Sequence, residues 1–401
     1  MEFITVHEAE EIILAETRSY GIEQLPIGRA SGRVLAGTLR ADRDLPPFDR
    51  ATVDGIAIGA EAVARNIKQF TIKGVQAAGM EPIPLSGPDK CIEIMTGAAV
   101  HHSAVAIVRY EDVELDRPNA QLTGSSPLIG QHIHRMGQDK RVNDVVVPAG
   151  RIVGPSLMSI AASLGSSYIP VKKLPRVAVI TTGSELVHID DTPSPFQIRR
   201  SNDIAIQAAL SRYGIYASAI HLSDDYKKME ACLTSCVQDY DVLLLTGGVS
   251  MGRFDYVPDV LSTLGVIKKF HKVKQRPGKP LWFGAFQHGP IVFAFPGNPV
   301  SVFMCLHRYF IPWLEESLGL NRPAEYAILQ NDICFAPPLQ YFPQVSVRIS
   351  RHGLLEALPV RGNGSGDFAN LAETNAFMEL PLEHSVFRRG NAYRIWKYIT
   401  H

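Results

Sequence analysis

The sequence predicts a multidomain protein of α/β plus β architecture. It comprises a central, doubly wound, mostly parallel α/β domain, a helical domain carrying an inserted, mostly β domain, and a small β-barrel-like domain at the C-terminus. Three observations predict this. At 401 residues the chain exceeds what one hydrophobic core usually organises. From residue 176 onward, strand-length apolar runs alternate with helical segments, the texture of right-handed βαβ crossovers. Before and after that stretch, at 51–147 and beyond Gly319, short β runs separated by Gly, Pro and Asn dominate.

Taken in order, Thr5 and Glu8 have capping-box spacing, Ala9, Ile12 and Ile13 form an apolar stripe, and Gly21 closes a helix over about 5–20. The Pro-punctuated stretch Asp42–Asp49 then breaks regular structure, and Val105–Tyr110 is a representative β run of the module that follows. Helical periodicity returns at Pro155–Leu164, ended by Gly165, and a Pro-containing linker spans 169–175. Because two helices flank the β module, it reads as an insertion in one helical domain. In the α/β region, strands are expected at 177–180, 216–222 and 242–245, and helices at 202–212, with Asn202 as cap, and 227–237. Period-two stretches at 345–349 and 392–398 mark the C-terminal β domain. The expected domains are therefore 1–45 with 148–172 (a helical linker domain), 46–147 (β), 173–320 (α/β) and 321–401 (β).

Composition excludes several function classes. With 40 basic and 40 acidic residues the formal charge is zero, which offers no basic face to nucleic acid and no polybasic patch to a membrane, so any anion site must be local. No segment reaches about 18 uninterrupted apolar residues, and the acidic start lacks the pattern of a signal peptide, so a cytoplasmic protein is expected. The five cysteines are odd in number and mostly within apolar segments, which favours buried, reduced thiols over a disulfide framework or a zinc site at Cys232 and Cys236. His132 and His134 alternate on an expected strand without further ligands, and Trp282, Phe283 and Phe286 read as core aromatics.

The chemistry concentrates where strands of the α/β domain end. Residues 241–248 run from an apolar strand into Gly247-Gly248, with Ser250 and Asp255 following; paired glycines let backbone amides face an anion. Thr182-Gly183-Ser184-Glu185, Asp224-Asp225 and Pro296-Gly297-Asn298-Pro299 end other strands in the same way. In such sheets ligands bind beyond the carboxyl ends of the strands, and these residues suit a phosphate-bearing ligand, with the carboxylates offering hard oxygens to Mg²⁺. Between 272 and 279, Lys272, Lys274, Arg276 and Lys279 surround Pro277-Gly278, a stiff basic loop suited to clamping an anion.

Together, Pro46-Pro47-Phe48-Asp49 with Asp54-Gly55, Ile94–Ala98, Thr182–Leu186, Gly247–Asp255, Pro277–Pro280 and Pro296–Pro299 resemble, in this order, the molybdopterin molybdenumtransferases. These are the MoeA family, to which the gephyrin E domain is similar; the central domain looks like MogA. The resemblance implies a homodimer, with 1–45 and 148–172 as its dimerisation domain, in which adenylylated molybdopterin accepts molybdenum from molybdate, with Mg²⁺-dependent release of AMP. It also implies a transient contact with a molybdopterin adenylyltransferase. Residue by residue, Arg276, Lys279, Arg348 and Ser365 match molybdate-binding positions, and Asp54, Thr96, Glu185, Asp224, Asp255, Lys272 and Arg276 match catalytic ones. Thr182, Gly183, Gly247, Gly248, Ser250, Pro296, Gly297 and Asn298 match molybdopterin- or AMP-binding positions, and Asp224 and Asp255 the metal site. Asp54 and Thr96 are implied to reach the partner's site, although Asp54-Gly55 is also a common turn pair. The sequence departs from the family pattern where Arg276 stands for the usual lysine and where Ala51-Thr52-Val53 precedes Asp54. Two rival readings keep the fold: an adenylyltransferase, which would leave Arg348 and Ser365 without a role, and an inactive scaffold.

Overall fold

The structure is a computed structural model that describes residues 3–249, 255–320 and 322–399. Its central sheet has the order Ser218–Leu222, Val177–Thr182, Val242–Thr246, Ile291–Phe295, Trp282–Ala285, Ile267–His271. The first four strands are parallel and the last two antiparallel to their neighbours. Alternation along each strand divides the apolar side chains between two layers. Val177, Val179, Leu244 and Phe293 enter one core, and Ala178, Ile180, Leu245 and Ala294 the other. The helix Asn202–Ser211 covers the first face through Ile206 and Leu210, while Tyr226–Asp239 and Val257–Thr263 cover the second through Met229, Leu233, Val257 and Val260. Burial on both faces is why Val242–Thr246 is apolar without alternation until its terminal threonine. The chain crosses from Val177–Thr182 to one neighbour and then to the other, so a crevice opens at the carboxyl ends of these strands.

The β module is a six-stranded sheet ordered Ala104–Arg109, Gly55–Gly59, Lys90–Ile94, Gln69–Gln76, Asn119–Leu122, Val113–Asp116. A closed barrel of Glu325–Leu329, Leu355–Pro359, Gln344–Ile349, Ala376–Met378 and Ala392–Lys397 forms the C-terminal part. Between them, Pro155–Ser163 shares a core of Leu35, Leu39, Val147, Leu157 and Ala161 with both arms that enter and leave the β module.

Two sequence expectations change here. The first helix, Val6–Leu14, carries the capping box, with Thr5 N–H donating to Glu8 Oε2 (2.7 Å) and Glu8 N–H to Thr5 Oγ1 (3.2 Å), a cap worth about 1 kcal/mol. Its apolar face does not join Pro155–Ser163; Val6, Ala9 and Ile13 enter the core of the α/β domain beside Trp313, whose Nε1 donates to Glu16 O at 3.0 Å. Burial area decides this, because the α/β domain offers the larger apolar face. The Pro-containing linker is mostly strand: Tyr168–Lys172 pairs antiparallel with Ile22–Pro26. Its Pro170 sits at the edge of a two-stranded ribbon, where a missing donor is tolerated.

The C-terminal helical run Pro299–Cys305, π-helical Leu306–Phe310 and Ile311–Ser317 is buried nearly all round. Within it Arg308, 2% exposed, meets Glu10 (2.9 Å) and Glu379 (3.2 Å), tying the first helix and the barrel to the central domain. At the preceding residue, burial pushes the His307 pKa down to about 4, and its neutral ring donates from Nδ1 to Phe303 O at 2.8 Å. A depressed folded pKa leaves stability complete above the unfolded value near 6.5 and removes it as pH falls through 4, by about 3 kcal/mol. Urea midpoints of the wild type are therefore expected to drop between pH 7 and 4.5 more steeply than those of His307→Gln. Equal slopes would remove His307 as the cause.

Candidate functional site

Three parallel strands end at one cavity of about 470 Å³. Val177–Thr182 contributes Thr181, Thr182 and Gly183; Val242–Thr246 leads to Gly247, Gly248 and Val249; Ile291–Phe295 leads to Pro296, Gly297 and Asn298. Glu185, Asp224 and Asp255 line the same space, as do Arg199 and Arg200. Gly247 has φ +88, and a Cβ there would lie 2.7 Å from Thr182 O, so only glycine gives the loop this close approach. Behind the loop, His271 Nε2 donates to Val249 O at 2.8 Å; burial lowers the pKa of this ring, which stays neutral. Asp224 is fixed by Ser184: its Oδ2 accepts from Ser184 N–H (2.9 Å), and its own N–H donates to Ser184 Oγ (3.1 Å). Asn202, expected to cap the helix Asn202–Ser211, instead donates from Nδ2 to Gly297 O at 2.8 Å, joining two of the loops.

Among the described residues no group of three or more His, Cys, Asp and Glu side chains is arranged to hold a metal. The pair Asp224 and Asp255 on one cavity nevertheless suits Mg²⁺, which keeps several waters and takes most remaining ligands from a bound phosphate.

A second cavity, also about 470 Å³, opens between the central domain and the C-terminal barrel. Its walls are the basic loop (Gln275–Pro280), Ser301, and from the C-terminal part Tyr341, Gln344, Gly362, Gly364 and Ser365. The basic loop reaches the barrel by direct pairing: Gln275–Arg276 runs parallel to Gln340–Tyr341, and Phe342 N–H donates to Arg276 O at 2.8 Å. The loop is braced from beneath. Gln275 is fully buried, donates from Nε2 to Gly278 O (2.9 Å) and accepts from the Tyr309 hydroxyl. Gly278 has φ +82 and a Cβ there would sit 2.5 Å from Cys305 Sγ. Asn298 Nδ2 donates to Ser365 Oγ at 2.8 Å, and Asn298, Pro296 and Pro280 line both cavities, so the two spaces adjoin.

The residues singled out in the sequence divide accordingly. Thr182, Gly183, Glu185, Asp224, Gly247, Gly248, Asp255 and Gly297 meet at the strand-end cavity, Arg276, Lys279 and Ser365 at the interdomain cavity, and Pro296 and Asn298 at both. Ser250 lies outside the described residues. Lys272 lines neither cavity; its ammonium and that of Lys279 lie 5.9 and 4.7 Å from the centroid of the Phe3 ring, because the N-terminal residues run along the basic loop. Arg348 also departs from expectation. Its side chain is 72% exposed, faces Glu356 at 3.6 Å and is not on the interdomain cavity. It lies four residues along the strand from Gln344, about 13 Å at strand rise, and it is Gln344 that borders the cavity.

Asp54 and Thr96 are brought together, but in the β module and on neither cavity. Asp54 Oδ1 accepts from Thr96 N–H (2.6 Å) and Oγ1 (2.7 Å), which holds its carboxyl below the usual range. Gly55 opens the strand Gly55–Gly59 rather than a turn. His132 has φ +57 and only Ile133–His134 is strand, so the two histidines share no face; His134 Nε2 meets Asp139 at 2.9 Å. Trp282 and Phe283 are buried in the central core. Of the cysteines, Cys91, Cys236 and Cys305 are buried, Cys232 is half-buried and Cys334 is exposed. Sequence reasoning missed Arg199, Arg200 and Gln344; the Arg199-Arg200-Ser201-Asn202 run, between an expected strand and helix, carried a usable signal, whereas an isolated glutamine carries none.

Three family models cover the chain in order: MoeA N-terminal region (domain I and II) at 4–165, a probable molybdopterin binding domain at 178–316, and MoeA C-terminal region (domain IV) at 326–396. The chain is 33% identical to a molybdopterin molybdenumtransferase of Synechocystis sp. over 98% of its length and 100% of the relative's. It is 31% identical to the enzyme of that name from Bacillus subtilis, covering 90% and 86% of the two chains. Two crystal structures of the molybdopterin biosynthesis MoeA protein from Pyrococcus horikoshii superpose with TM-scores of 0.86 and 0.83 at 26% and 27% identity, over 99% or more of both chains.

Proposed function

The chain belongs to the MoeA family of molybdopterin molybdenumtransferases, enzymes of molybdenum cofactor biosynthesis, and from its two adjoining cavities we infer how it divides the work. The strand-end cavity takes the pyrophosphate and adenylyl part of adenylylated molybdopterin, and the interdomain cavity takes molybdate. The observation that carries this is their complementary chemistry across a shared wall. One space has glycine amides and Arg199 and Arg200 together with the carboxylates of Glu185, Asp224 and Asp255; the other has Arg276 and Lys279 with no carboxylate among its described lining residues. A tetrahedral dianion is held by cations and hydrogen-bond donors and is repelled by carboxylates, so it belongs in the second.

In this reading the amides of Gly247 and Gly248 and the Thr182 hydroxyl bind the pyrophosphate, with Arg199 and Arg200 beside them. Asp224 and Asp255 would hold Mg²⁺, which supplies charge neutralisation for the pyrophosphate and a lowered pKa for the attacking water. Arg276, Lys279 and Ser365 orient molybdate, and Asn298, bonded to Ser365, keeps both ligands in register. The dithiolene sulfurs displace oxygen ligands from molybdenum, and water cleaves the phosphoanhydride to free AMP, so no protein nucleophile is needed.

The test is purified protein with Mg²⁺, adenylylated molybdopterin and molybdate, followed by chromatography for AMP and molybdenum-loaded cofactor. AMP release that is the same without molybdate would overturn the reading. We also propose a homodimer in which Asp54 and Thr96 of one subunit complete the site of the other. Mixing inactive Asp54→Asn with inactive Lys279→Met subunits would then restore activity, to about a quarter of wild type if subunits exchange freely; no recovery by exchanged mixed dimers would sink that part. Work in the cytoplasm and a transient contact with the adenylyltransferase that makes the substrate complete the proposal. Among the described residues, no helix is long and apolar enough to cross a membrane.

A further inference from the structure

The first strand of the barrel wall facing the basic loop, Gln344–Ile349, begins with a glutamine that lines the interdomain cavity. Gln344 is 7% exposed, and its side-chain Nε2 has no hydrogen-bond partner. Buried amide donors are nearly always paired, so an orphan in a side chain that borders a cavity marks a group that meets its partner when a ligand arrives and the amide turns about its last torsion. Around it the cavity offers two cations, Arg276 and Lys279, the buried hydroxyl of Ser301 (3% exposed) and the Ser365 hydroxyl, and no carboxylate among the described residues.

We propose that Gln344 donates from Nε2 to an oxygen of the bound tetrahedral oxyanion and helps to set which oxyanion the cavity accepts; this rests on the molybdate reading of that cavity. The strand fixes the position: Gln344 pairs with Phe377 across the barrel wall, and its carbonyl accepts from Val360 N–H at 3.1 Å, so the side chain projects from a held backbone. An amide NH₂ contributes direction without charge. It therefore suits a fully deprotonated dianion such as molybdate over hydrogen phosphate, whose O–H finds no carboxylate to accept it among the described lining residues, where the charged groups are the cations Arg276 and Lys279.

The test is calorimetric binding of sodium molybdate to the full-length protein and to Gln344→Met, which keeps the length and removes the donor. The variant is expected to bind about tenfold more weakly. Without the anion it should melt no lower than the wild type, because an unpaired buried donor is gone. Gln344→Glu, which turns the group toward the anion as a carboxylate, should abolish binding. Should the methionine variant fail to fold, Gln344→Asn, whose amide is drawn back by one methylene, is expected to weaken binding likewise. Affinity of Gln344→Met within twofold of wild type, or a lower melting temperature with unchanged affinity, overturns the proposal and leaves the cavity reading standing. No molybdate binding by the wild type overturns both.

Discussion

Lys279→Met is expected to lower molybdate-dependent turnover by about 10²-fold, the loss found when one preorganised donor to a reacting oxyanion is removed. The structure gives the reason for so large an effect. Lys279 and Arg276 are the cations on the interdomain cavity, and no described carboxylate there offsets their field. Lys279 is carried by a loop braced through Gln275, Gly278 and Tyr309, and its ammonium rests 4.7 Å from the Phe3 centroid, which costs little to leave at an exposed site, about 0.5–1 kcal/mol. Lys279→Arg should recover part of the rate, since the charge returns with a planar geometry that does not match an ammonium. The measurement is AMP formation against molybdate concentration, with AMP affinity as the control for the strand-end cavity. Turnover of Lys279→Met within twofold of wild type would falsify its role in holding the oxyanion.

Asp255→Asn should raise the Mg²⁺ concentration for half-maximal turnover by about 10–100-fold, with partial recovery at high Mg²⁺. Asp224 and Asp255 come from different loops of one cavity, and Asp224 is already oriented by Ser184, so in the proposed metal site each carboxylate would supply what the other cannot supply alone. The asparagine keeps the shape and removes the charge, which separates metal binding from packing. Titration of Mg²⁺ into the turnover assay, with melting temperature recorded in parallel, decides the matter. An unchanged Mg²⁺ requirement with lost activity would reassign Asp255 to substrate contact.

Much of this was legible in the sequence because it is written in local rules. Thr5 and Glu8 announced the first helix through cap chemistry, and apolar strands stopping at glycine announced the strand-end cavity, since glycine is what a close backbone approach requires. Legibility ended where position depends on register between distant strands. Arg348 and Gln344 lie on one strand, and the charge of the arginine makes it the natural candidate. The two share a face of the strand, and position along it decides otherwise: Gln344, paired with Phe377, stands at the cavity, while Arg348, paired with Glu356 about 13 Å further on, stays in solvent. Asn202 is a similar case: helix-cap chemistry describes it well in isolation, and a carbonyl from Gly297, far along the chain, claims its amide.

By itself, then, the sequence determined the architecture, the family and the strand-end cavity, since hydrophobic period, turn residues and ordered motifs are properties of neighbouring positions. Only the tertiary structure decided where the first helix docks, that Lys272 and Lys279 both reach Phe3 while Lys279 also borders the interdomain cavity, and which barrel side chain borders that cavity. The physical reason is common to all three. Docking follows the largest apolar face available, and the place a side chain takes follows pairings and contacts between separate segments of the chain, quantities that no local window of sequence contains.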